Sequence, residues 1–189
     1  MNQLIYNFAV WLDGFESSTA LHESFYMYNW TETTHVLTLM ISLGMLFLID
    51  LRMLGIALPG VPASRIAHRL HWPMVAGFTL MFITGIMLVY AIPVRSSQSL
   101  WLRIKVVLLI AAAINAFLFH RQMNASIDSW DTQPRAPRRL RTGAILSLSF
   151  WTVIVISGRL IAYDWFDCSS EPNALIGALA GCVAGQTQF

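Results

Sequence analysis

The stretch Trp30–Gly55, WTETTHVLTLMISLGMLFLIDLRMLG, decides how the rest of the chain is read. It is apolar and long enough to cross a bilayer, which takes about 20 helical residues. His35 lies a little more than a turn inside one end, and Asp50 and Arg52 lie near the other. Lipid rejects ionisable groups without partners, so a histidine inside such a helix is by default a functional-site hypothesis. Glu32 stands three residues before His35 on the same helix face, where a carboxylate can orient the imidazole. Asp50 is expected to pair with Arg52 or Arg69 at the membrane surface.

The remainder of the chain repeats the apolar pattern. Of 189 residues, 56% are hydrophobic and 12% charged, too apolar a balance for a soluble domain of this length. Spans are expected at about 30–54, 72–92, 100–120 and 143–163. The segments are too long for barrel strands, so the predicted fold is all-α: an integral membrane four-helix bundle over residues 30–163. Residues 1–29, with Tyr6, Trp11 and Phe15, read as interfacial helices at headgroup level, and residues 164–189 as a tail.

Charge placement sets the expected orientation. Arg52, Arg65, Arg69, Arg121, Arg135, Arg138, Arg139 and Arg141 fall to one side, eight of the twelve Lys and Arg. The first 29 residues hold none, and the tail after Tyr163 holds only the acids Asp164, Asp167 and Glu171. The positive-inside rule then puts both termini on the periplasmic side of a bacterial inner membrane. Net charge of +2 gives no sign of nucleic-acid binding, and the Arg-rich loop reads as a topogenic and headgroup contact. No basic n-region or cleavage site marks a signal peptide. Cys168 and Cys182 both sit in the outward tail, where a disulfide and two free thiols are about equally expected.

Ranking polar residues by height, at the helical rise, gives two layers. His35, Arg103, Lys105, Arg159 and Tyr90 fall roughly 7–11 Å outward of the midplane. His71 and His120, with His68 nearby, fall roughly 15–17 Å inward. One imidazole among three cations calls for an anionic ligand, and a haem satisfies both: His35 as axial ligand, propionates on Arg159, Lys105 or Arg103. His120 with His71 or His68 can hold a second haem, b-type because no attachment motif is present. A quinone head group on His35 is a further option. The bland alternative is that Arg103 and Lys105 snorkel outward and His35 is a hydrogen-bonded core residue.

WTETTHVL through GMLFLIDLRMLG, then VAGFTLMFITGIMLVY, LWLRIKVVLLIAAAINAFLFH and SGRLIAY, resemble an uncharacterised family of bacterial four-helix membrane proteins over nearly the whole chain. That family looks distantly similar to CopD-like copper-resistance domains and HemJ-type protoporphyrinogen oxidases. In the latter, the first-span histidine matched by His35 is implicated in haem binding, and the third-span lysine matched by Lys105 is functionally important. Three functions follow as expectations. The first is b-type haem electron transfer with a quinone-level or periplasmic redox partner. The second is a structural subunit of a larger membrane complex. The third is copper handling, for which the scattered methionines give little support, since gap-filling is their commoner role.

Overall fold

A computed structural model describes residues 2–163, 166, 168 and 173–183. The acidic residues Asp164, Asp167 and Glu171, part of the charge asymmetry above, lie outside the described residues. The fold is all-helical: 83% helix, with no strand among the described residues. In chain order the helices are α1 (Asn2–Asp13), α2 (Glu16–Glu23), α3 (Met27–Leu54), α4 (Ala63–Ala91), α5 (Pro93–Ser97), α6 (Leu100–Trp130), α7 (Arg138–Ala162) and α8 (Ala174–Ala180). Four of them, α3, α4, α6 and α7, are long and apolar enough to cross a membrane. Their outer faces carry large apolar side chains such as Phe82 and Phe117, 63% and 66% exposed. Apolar surface on that scale needs a nonpolar solvent, and a bilayer supplies it.

All four outrun the spans marked in the sequence, α4 and α6 by the most. α4 begins at Ala63, not near Trp72, because its first turn is capped from a distant loop. Asp131 accepts hydrogen bonds from Ser64 N–H at 2.8 Å and Ser64 Oγ at 2.6 Å. Pro73 is tolerated inside the helix that results. α6 continues to Trp130, so the long inter-helix loop expected over 121–142 shrinks to residues 131–137.

The chain packs as two compact units, and each long helix contributes to both. One unit comprises residues 36–81 and 108–153. Its core is Ile49 and Met53 of α3, Ala63 and Ile66 of α4, Met123 and Trp130 of α6, and Ala136, Leu140 and Ala144 from the start of α7 and the loop before it. α3 ends there in a glycine cap: Gly55 has φ +75°, its N–H bonds Arg52 O, and Ile56 N–H bonds Leu51 O. A Cβ on Gly55 would also lie 2.7 Å from Pro134 O, so only glycine fits.

Arg52 ties this unit's loops together, and its role differs from the expected pairing with Asp50. The side chain is fully buried. Nε donates to Val61 O at 2.7 Å, Nη2 to Gln133 O at 2.9 Å and Asp131 O at 3.3 Å, and Nη1 to Pro134 O at 3.4 Å. Main-chain carbonyls of two loops thus take the place of a carboxylate. Asp50 instead hydrogen-bonds Ser147 of α7.

The other unit comprises residues 1–35, 82–107 and 154–189. Here Ser17 Oγ and Tyr90 Oη are 2.6 Å apart, and Ser18 Oγ donates to Tyr90 O at 2.7 Å, which fastens α2 to the end of α4. Ser99 starts α6, its Oγ accepting Leu102 N–H. Cys168 and Cys182 are joined in a disulfide, resolving the even choice left by their spacing.

Candidate functional site

His35 stands on α3 with its ring turned to α4, where Nδ1 is 3.1 Å from Thr84 Oγ1. The ring lies over Gly85: a Cβ there would be 3.2 Å from His35 Cε1. Glycine at 85 therefore makes the seat for the imidazole, and Thr84 fixes its rotation. Both come from one turn of α4, and Thr84 is itself buried. Sequence reasoning pointed to Glu32 as the orienting group and passed over Thr84, because a threonine in an apolar span carries no signal until the helix register is known.

Lys105 is the second intramembrane polar residue of interest. Its Nζ lies 3.4 Å from where a Cβ on Gly158 would stand, so glycine on α7 makes room for the ammonium. No hydrogen bond or ion pair to Lys105 is formed among the described residues. His35, Thr84, Gly85, Lys105 and Gly158 all belong to the same compact unit. Helix–helix glycine contacts of this kind let a polar side chain sit inside a membrane bundle instead of at its surface.

The remaining outer-layer residues serve other ends. Arg103 Nη1 donates to Asn2 Oδ1 at 3.1 Å and Leu179 O at 3.3 Å, and Nη2 to Ser97 O at 3.4 Å. One guanidinium so joins α1, α5 and the end of α8. Gly181, in the left-handed conformation at φ +90°, closes over it so tightly that a Cβ would overlap the guanidinium. Arg159 is exposed and pairs along its own helix with Tyr163, Nη2 to Oη at 2.9 Å. Tyr90 anchors α2, as described. These three residues are accounted for by packing.

His68, His71 and His120 are all exposed, and His71 packs edge-on against Trp72. Among the described residues no group of three or more His, Cys, Asp or Glu side chains could hold a metal ion.

Fold and site together define a multi-pass helical membrane protein with an oriented histidine and a lysine inside its bundle. The chain belongs to DUF6644, a family of unknown function whose model matches residues 22–164. Comparison with curated proteins and with solved structures gives no match.

Proposed function

We propose that this protein binds a b-type haem through His35 and passes single electrons in the bacterial inner membrane, between a quinol-level donor and a downstream acceptor. The observation that carries the proposal is the His35–Thr84 contact at 3.1 Å. A metal-ligating histidine nearly always commits one ring nitrogen to a second group that fixes its tautomer and rotation. Thr84 lies against Nδ1, and in this reading Nε2 would be the iron ligand. Lys105 supports the same reading, because a half-buried ammonium inside a membrane span favours an anionic neighbour and a haem propionate is one. Arg103, Arg159 and Tyr90 are left out of the site, since each is engaged in packing. The haem supplies a reversible ferric–ferrous couple; Thr84 holds the ligand and Lys105 offsets negative charge, which raises the potential. The proposal is for one haem, because His68, His71 and His120 are exposed.

Both termini are proposed to face the periplasm. Two features support that side independently: the arginine asymmetry and the Cys168–Cys182 disulfide, which calls for an oxidising compartment. Copper handling is not carried forward.

The test is haem content. Wild type, His35→Ala, Thr84→Val and Lys105→Met are expressed with ample haem supply, purified in detergent and counted as pyridine haemochrome. The expected result is about one haem per chain in wild type and none in His35→Ala. Thr84→Val should retain less haem, and Lys105→Met should bind it with a lowered potential. Haem-free wild type would remove the proposal and leave the structural-subunit reading, tested by what co-purifies.

A further inference from the structure

α3 carries a second ionisable group, of which a haem at His35 makes no use. Asp50 is 2% exposed, in an apolar helix, four residues before its end at Leu54. Ser147 of α7 hydrogen-bonds the carboxyl, and Oδ2 is buried with no hydrogen-bond partner among the described residues. The same compact unit holds the apolar core built on Ile49 and Met53 of α3, which flank Asp50 in sequence.

Among the described residues no charged side chain is hydrogen-bonded to it or ion-paired with it. Arg52, two residues on, directs its donors at the carbonyls of Val61, Asp131, Gln133 and Pro134. From α7 the group that acts on the carboxyl is Ser147. A bare carboxylate buried with a single hydrogen bond costs several kcal/mol. Removing its charge with a proton ends that cost. A metal ion would not serve, because hard cations need about six oxygens and this pocket offers a carboxyl and one hydroxyl.

We infer that Asp50 is a proton-binding site, occupied in this arrangement: Oδ2 carries the proton while Ser147 Oγ–H donates to the other oxygen. Release breaks the Oδ2–H bond, leaves the carboxylate and passes the proton to water; uptake is the reverse. An intramembrane group of this kind is suited to exchanging one proton with the side at which α3 ends. The inference does not depend on haem.

Infrared spectroscopy of the whole chain in liposomes tests it. At neutral pH, wild type minus Asp50→Asn should contain one carboxylic-acid C=O band, shifted down in heavy water and shifted up in Ser147→Ala, where the hydrogen bond is lost. Raising the pH should replace that band with carboxylate stretches. A difference spectrum holding only carboxylate stretches at neutral pH overturns the inference. If Asp50→Asn fails to fold, carboxyl-13C aspartate in wild type answers the same question. An isotope-shifted acid band at neutral pH then supports the site, and its absence overturns it.

Discussion

Arg52→Met should destabilise the protein by about 2–4 kcal/mol while leaving its helices intact. Methionine fills much of the same space, so the substitution isolates the hydrogen bonds. A bond from a charged donor contributes about 1.5–3 kcal/mol. Two of the four Arg52 bonds are short, at 2.7 and 2.9 Å, and two are long, at 3.3 and 3.4 Å. Counting only the short pair gives roughly 3–6 kcal/mol. Gln133 and Pro134 are exposed, so water can reach their carbonyls and part of that is returned. Arg52→Lys keeps the charge but cannot reproduce the fork, and should fall between wild type and Met. The assay is thermal unfolding in detergent followed by tryptophan fluorescence, for which the buried Trp130 beside Asp131 is a local reporter. A loss of this size lowers the melting temperature by about 4–16 °C. Arg52→Met melting within a degree of wild type would refute the assignment of Arg52 as the tie between the two loops.

Asp131 predicts an acid sensitivity. Burial raises its carboxyl, but hydrogen bonds from Ser64 Oγ and from the Ser64 and Ala63 backbone, with the Arg52 charge, outweigh that and hold it below its ordinary value. A depressed carboxyl contributes stability that is present above the unfolded value of about 3.9 and lost as pH falls through the folded one. Asp131→Asn should therefore melt below wild type at pH 7, by about 1 kcal/mol for the charge and the second acceptor oxygen that the amide lacks, with the gap closing in acid. In the helix contact at Gly77, Gly77→Ala should cost about 1–3 kcal/mol by pressing on the Ser42 hydroxyl, and Ser42→Ala should restore most of it in a double-variant melt. Ser42→Ala alone should be near neutral, since that hydroxyl is buried without a hydrogen-bond partner among the described residues. Finally, maleimide should label the purified protein only after reduction, because Cys168 and Cys182 are paired; labelling without reductant would contradict the pairing.

What was legible in the sequence was what composition and periodicity record. Four apolar runs announce four long helices, and Trp30–Gly55 became α3 almost residue for residue. Interactions between distant segments were hidden. The start of α4 depends on Asp131, 67 positions from Ser64, and no local pattern at Ala63 marks a helix start. Arg52 looked like half of an ion pair because an acid stood two residues away, yet residues two apart do not face each other on a helix. Depth alone grouped Arg103, Lys105, Arg159 and Tyr90 with His35. Direction then separated them: Arg103 turned to the termini, Arg159 outward to Tyr163, Tyr90 to α2. His35 was visible as an ionisable residue in an apolar span, whereas Thr84 and Gly85 gained meaning only once α3 and α4 were set side by side.

The most direct measurement is a dithionite-reduced minus oxidised absorption spectrum of purified protein beside His35→Ala. A b-type haem signal in wild type, absent from a His35→Ala protein that still folds, is the predicted result. A spectrum without haem bands in wild type, or identical bands in His35→Ala, would contradict His35 as the ligand of a haem.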